Sequence, residues 1–191
     1  MPVSVGSMHD TPSWIDELRQ LHARGTSAWL SGRRSPSLMF DQQDVDFLKS
    51  IGCSVQEMFD FIDDLQDWGE PDLETVIEVQ KIRRDYWLQV MDGRPADKTV
   101  PMSELPPKSD AIDGISWLPR LIVKARLKLR GEMPPDLMYG CGGDRPFLRR
   151  INMTLAGLLK LVWECGEDDR RIVEAVKKKR RQIGLWVGVR L

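Results

Sequence analysis

Ser116-Trp117-Leu118-Pro119-Arg120-Leu121-Ile122-Val123-Lys124-Ala125-Arg126-Leu127-Lys128-Leu129-Arg130-Gly131 is the stretch on which the fold turns. Leu118, Leu121, Ile122, Ala125 and Leu129 recur at helical spacing and gather on one side of a wheel, the pattern of an amphipathic helix. Ser116 is the expected cap, Pro119 falls in the first turn where it removes no helical hydrogen bond, and Gly131 is the expected stop. Arg126 lies about 80° from the centre of the apolar stripe, with Arg120 and Lys124 behind or beside it.

Downstream, residues 132–143 are irregular and rich in Pro and Gly, and Asp144 with Pro146 opens a short helix carrying Phe147, Leu148 and Ile151. Thr154 is placed to cap a helix bearing Leu155, Leu158, Leu159 and Val162, which ends at Gly166. Asp168 or Asp169 starts the last helix, with Ile172, Val173 and Val176 before the basic run Lys177–Arg181. The apolar tail Leu185-Trp186-Val187-Gly188-Val189 reads as a short strand or a docked extended segment.

Upstream, the same order of elements is found. Thr11 and Pro12 read as a helix start, Trp14, Ile15, Leu18 and Leu21 continue it, and Gly25 reads as its end. Residues 26–40 are expected to be mostly loop, anchored by Trp29 and Leu30. Asp41 and Asp44 start a short helix with Val45, Phe47, Leu48 and Ile51, closed by Gly52. Ser54-Val55-Gln56-Glu57 fits a capping box before Met58, Phe59, Ile62 and Leu65, with Asp60, Asp63, Asp64 and Asp67 as the solvated back of that helix. Asp72 then opens a longer helix carrying Leu73, Val76, Ile77, Val79, Tyr86, Trp87 and Val90.

Details that owe nothing to periodicity also repeat. Ser13-Trp14-Ile15 matches Ser116-Trp117-Leu118, and Pro36-Ser37-Leu38-Met39-Phe40 matches Pro135-Asp136-Leu137-Met138-Tyr139. Phe47-Leu48-Lys49-Ser50-Ile51 matches Phe147-Leu148-Arg149-Arg150-Ile151, and Val76-Ile77-Glu78-Val79 matches Ile172-Val173-Glu174-Ala175. The expected fold is therefore all-α: two tandem, internally duplicated small helical domains packed about a pseudo-twofold axis. The first copy spans 11–91 and the second 115–191. Between them, 92–114 contains Pro95, Pro101, Pro106 and Pro107 and reads as a linker.

The copies differ in charge. Residues 1–91 carry a net −8, residues 92–113 a net −2 and residues 114–191 a net +9. Either the halves attract each other or the basic one meets an anionic partner. No apolar run is long enough to span a bilayer, so a soluble, cytoplasmic protein is expected, with no membrane partner. Cys53, Cys141 and Cys165 are widely spaced, and His9 and His22 lie far from them in sequence. Neither a disulfide framework nor a metal site is indicated, and no cofactor is implied.

Leu118-Pro119-Arg120, Lys124-Ala125-Arg126 and Tyr139-Gly140-Cys141-Gly142-Gly143-Asp144 resemble the pattern of a bacterial family catalogued as domain of unknown function 5069. The resemblance covers about residues 115–176. It implies a single small helical domain and carries no activity with it. The first half departs from the pattern: Asp16 stands where Pro119 or Arg120 would, and Asp41-Gln42-Gln43 replaces the Gly-Cys-Gly-Gly passage.

The candidate ligand-binding residues are Arg120, Lys124, Arg126, Tyr139, Cys141, Asp144 and Arg145. In one reading Arg126 is held by Asp144 or a loop carbonyl and pins loop to helix; in another, Arg126, Lys124, Tyr139 and Asp144 line an anion-binding cleft. Cys141 among glycines sits where backbone amides can form an anion nest, and a nearby cation would favour its thiolate. No histidine follows His22, so a Cys/His dyad within the second copy is excluded. The glycine string also lacks the lysine and hydroxyl of a phosphate-binding loop.

The expected function is a non-enzymatic binding or adaptor protein whose basic copy holds an acidic partner or a small anionic ligand. The alternatives are a small enzyme using Cys141 or Tyr139 in the 139–145 loop, and nucleic-acid binding through the basic helix end.

Overall fold

A computed structural model describes residues 13–187, and among them nine α-helices account for most of the chain. The first half contributes α1 (Trp14–Leu30), α2 (Pro36–Met39), α3 (Gln42–Ser50), α4 (Val55–Trp68) and α5 (Leu73–Gln89). The second contributes α6 (Leu118–Arg130), α7 (Asp144–Arg150), α8 (Leu155–Cys165) and α9 (Asp169–Val187). The all-α expectation holds, with one two-residue hairpin, β1 (Ala111–Ile112) and β2 (Ile115–Ser116), paired antiparallel. Among the described residues no helix is long and apolar enough to cross a membrane.

Most helix starts follow the local chemistry. The Asp41 carboxylate accepts from the Asp44 amide at 3.0 Å, Asp72 from Thr75 at 2.9 Å and Thr154 from Gly157 at 2.9 Å. The Arg171 amide donates to Asp168, which makes Asp168 the residue that opens α9. Each cap satisfies an amide that the helix leaves without a partner.

Several expectations are corrected. The Thr11–Pro12 start lies outside the described residues; α1 begins at Trp14, and the Ser13 hydroxyl accepts from the Asp16 amide at 3.2 Å. Gly25 does not end α1, which runs on to Leu30, into the stretch expected to be loop, and α2 takes up Pro36–Met39 of the same stretch. A Cβ at Gly25 would come 2.6 Å from Ile62 Cδ1, so this glycine serves close helix packing instead of a turn. Trp29 is a buried anchor, but Leu30 is 67% exposed. Ser116 does not cap α6, because it lies in β2; Trp117 takes the cap position at φ +73°.

The expected strand at 185–189 is also corrected. Helix α9 continues to Val187, since the Lys/Arg run supplies good helix formers, and residues 188 and 189 lie outside the described set. The 92–114 segment docks along α6: Leu105 packs with Leu127 and Leu137, and the Val100 amide donates to the Glu132 carbonyl at 2.9 Å.

One apolar core runs through both halves. Leu18, Leu21, Met58, Phe61, Ile62 and Val76 join Leu121, Ala125, Leu158, Leu159 and Ile172 in it, and α5 lies against both α6 and α8. Charge follows the same seam. Arg145 pairs with Asp64 and Glu70, Arg149 with Glu70 and Lys128 with Glu57, each joining the basic half to the acidic one. Asp63 accepts from the Trp29 indole at 2.7 Å and Asp60 from Gln56 at 2.7 Å. Of the four aspartates expected on a solvated back, only Asp67 is exposed.

Candidate functional site

The seven expected residues do not converge on one cleft. Lys124 projects from α6 into the protein and forms an ion pair with Asp144, and its Nζ also lies 3.3 Å from Cys141 Sγ. Asp144 accepts two further hydrogen bonds, from the Trp117 indole at 3.0 Å and the Gly140 amide at 2.9 Å. The glycine-flanked loop thus does receive an anion, and that anion is the chain's own carboxylate. Tyr139 is buried beside it, donating to the Leu155 carbonyl at 2.8 Å, and burial raises its phenol well above the ordinary value.

The other cations are engaged elsewhere. Arg126 does not meet Asp144: its guanidinium donates to the Gly166 carbonyl at 2.8 Å and to Asp169 at 2.6 Å, tying α6 to the α8–α9 turn. It lies on the flank of α6 facing that turn, so the loop is out of its reach. Arg120 donates to the Pro106 carbonyl at 2.8 Å. Arg145 donates to Asp64 at 2.6 Å and to the Gly140 carbonyl at 2.7 Å. In the basic run, Lys177 pairs with Asp113 and Glu174, while residues 178–181 are exposed.

A cavity of about 680 Å³ opens instead between the halves, with Tyr139 in its wall. Val55, Trp87, Met133, Pro134 and Met138 supply apolar wall, and Cys53, Glu57, Asp60, Arg83 and Lys128 supply titratable groups. This combination of an apolar hollow with a few polar groups is the usual make-up of a small-molecule site.

Its charges are unusual. Arg83 is 4% exposed and has no carboxylate partner among the described residues; its one hydrogen-bond contact is to the Met91 sulfur at 3.7 Å. Burial lowers its guanidinium to about 10. Lys128, 2% exposed, faces Glu57 as an ion pair without the alignment of a hydrogen bond, and burial lowers its ammonium to about 8. Glu57 also accepts from Gln80 at 3.1 Å and from the Cys53 thiol at 3.6 Å. Ser54 still caps α4, yet the Glu57 side chain has left the expected capping box for this cluster.

Cys53 is buried, and desolvation pushes its thiol up to about 11 despite Lys128 and Arg83 nearby. Asp60, at the cavity edge, is raised to about 6 by burial and by the charges of Asp64 and Asp63. Such displaced values gather where a site handles charge.

The signal for the two missed cations is present in the sequence. Val76, Val79, Gln80 and Arg83 stand at positions i, i+3, i+4 and i+7, as do Leu121, Lys124, Ala125 and Lys128. A polar or charged residue at core-face spacing on a helix is buried with its charge, and here both helices put one into the same cavity. Among the described residues no group of His, Cys, Asp and Glu is arranged to hold a metal ion.

No curated protein and no solved structure matches the chain. Residues 104–184, which make up α6 to most of α9 together with the last part of the segment docked on α6, match the family model described as Domain of unknown function (DUF5069), a span wider than the resemblance at 115–176.

Proposed function

We propose that the protein binds a small organic anion with an apolar body in the cavity between its halves, Arg83 holding the anionic group. The observation that carries this reading is the buried Arg83 guanidinium, which lines the cavity with no carboxylate partner among the described residues. A desolvated cation is costly unless paired, and a bound carboxylate or similar group supplies the pair. Trp87, Met133 and Met138 offer the apolar part of the ligand a surface that can adapt to its shape. Of the residues singled out in the sequence, Tyr139 contributes to the cavity wall, Lys124, Cys141, Asp144 and Arg145 hold the loop that follows it, and Arg120 and Arg126 are engaged elsewhere.

Calorimetric titration with 3-phenylpropanoate and related aryl and alkyl carboxylates tests this. The wild type is expected to bind, and Arg83→Met to lose at least about tenfold in affinity, since a hydrogen bond to a charged group contributes about 1.5–3 kcal/mol. Equal affinity in the two proteins overturns the reading.

The finer architecture belongs to the same proposal: the halves are diverged copies of one helical unit. Their turns support it. The Ile51 and Cys53 amides donate to the Leu48 carbonyl at 3.2 and 2.9 Å, and the Ile151 and Met153 amides donate to the Leu148 carbonyl at 3.1 and 3.0 Å. Gly52 and Asn152 both have positive φ there, and Ser54 and Thr154 cap the helices that follow. Arg24 pairs with Asp44 as Lys124 pairs with Asp144, at positions 100 residues apart. In this reading the ligand cavity lies where the two copies meet, and the first copy supplies Arg83 while the second supplies Lys128.

A further inference from the structure

Anion binding by Arg83 gives no task to the primary amine of Lys128, which lines the same cavity. Two buried lysines stand one turn apart on α6, and their surroundings differ. Lys124 is held by Asp144 beside Cys141 and Trp117 and does not line the cavity. Lys128 does line it, as do Cys53, Glu57, Met133 and Tyr139, and its one carboxylate partner among the described residues is Glu57.

The position of Arg83 relative to this amine restricts what a ligand can be. A Cβ at Gly131 would come 2.7 Å from Arg83 Nη2, which puts the guanidinium at the C-terminal end of α6. Gly131 follows Lys128 by three residues, about 4.5 Å along a helix axis. Arg83 and Lys128 line the same cavity, so one small molecule can touch both when its anionic and its electrophilic atoms are close neighbours. A 2-oxo acid has its carboxylate and its carbonyl carbon joined by one bond.

We propose that Lys128 forms an imine with the carbonyl group of an apolar 2-oxo acid whose carboxylate is held by Arg83. The inference rests on the anion-binding reading of the cavity and names the ligand class. Glu57 takes the proton from the Lys128 ammonium, and the free amine attacks the ligand's C2. The carbon–nitrogen bond forms as the carbonyl π bond opens, giving a carbinolamine. One amine hydrogen passes to the oxygen as the carbinolamine forms, Glu57 returns its proton to the resulting hydroxyl, which leaves as water, and the nitrogen lone pair closes a C=N bond that keeps the last hydrogen as a protonated imine. No oxidant or reductant is consumed. Burial that brings the ammonium down to about 8 leaves a useful fraction of neutral amine near neutral pH, the usual condition of lysines that form Schiff bases.

The test treats the full chain with phenylpyruvate and sodium cyanoborohydride and maps adducts by peptide mass spectrometry, with 3-phenylpropanoate as the ligand that lacks a carbonyl. The expected result is one reduced adduct on Lys128, absent from Lys128→Arg, absent with 3-phenylpropanoate and suppressed when 3-phenylpropanoate is added in excess. The suppression arm uses wild-type protein and so does not depend on the variant folding. If both compounds bind and no adduct forms on Lys128, the imine is overturned and the anion site stands. Adducts spread evenly over exposed lysines such as Lys160 and Lys178 overturn it likewise. If neither compound binds, the imine and the binding reading fall together.

Discussion

Lys124 and Asp144 form an ion pair that water does not reach, their side chains 2% and 0% exposed. The pair joins α6 to the first residue of α7, and the Trp117 indole and the Gly140 amide take up further acceptor capacity of the carboxylate. Taking two charges out of water is costly, and complete pairing offsets that cost. Removal of one partner is expected to be far worse than removal of both. Asp144→Asn and Lys124→Met should each lose about 3–5 kcal/mol in urea unfolding, and the double variant should lose clearly less than their sum. Single losses below about 1 kcal/mol that simply add would show that the pair does not hold the loop.

How far this arrangement was legible depends on which residues are asked about. Apolar spacing and caps located α3 to α8 closely, because Asp41, Ser54, Asp72 and Thr154 act locally and leave their mark in a few consecutive residues. Gly25 misled, since its lack of a side chain serves contact with Ile62 on another helix, and nothing within α1 records that contact. The loop chemistry was half legible. A carboxylate, a lysine and a cysteine were expected together, and Lys124, Asp144 and Cys141 do meet, but Arg126 is drawn away by the α8 C-terminus and Asp169. The cavity cations were missed because a charged side chain ordinarily marks the solvent face of a helix, although Arg83 and Lys128 both stand at core-face spacing.

Gly143 seats the ring that steadies this carboxylate. A Cβ there would lie 2.4 Å from Trp117 Cζ2 and 2.7 Å from Cη2, while its φ of −89° is open to any residue. The clash falls on a rigid indole, not on the free end of a chain, so relief requires Trp117 or the loop to shift, and the Trp117–Asp144 hydrogen bond shifts with it. Gly143→Ala is expected to cost about 1–3 kcal/mol by overpacking. Gly142→Ala is the control, since a Cβ there meets only Arg145 Nη2 at 3.9 Å, and thermal unfolding should barely register it. Equal effects of the two would remove Trp117 from the account.

Asp60 gives the cavity edge a pH dependence whose sign is fixed by its surroundings. Burial, with Asp64 and Asp63 on the same helix, raises its carboxyl from 3.8 to about 6, and Gln56 only partly opposes this. Between these values the folded chain holds a proton that the unfolded chain has released, so this residue's contribution to stability falls as pH rises from about 4 to 6. Above that window the full penalty is present; below it the penalty vanishes. Asp60→Asn keeps the hydrogen-bonding shape without the charge and should stabilise the protein at pH 7 by about 1 kcal/mol, a figure reduced for solvent screening at a partly exposed carboxylate. At pH 4 the variant and the wild type should unfold at nearly the same urea concentration. A gain that is the same at both pH values would mean that the substitution acts through packing and that the Asp60 charge is not what strains this edge.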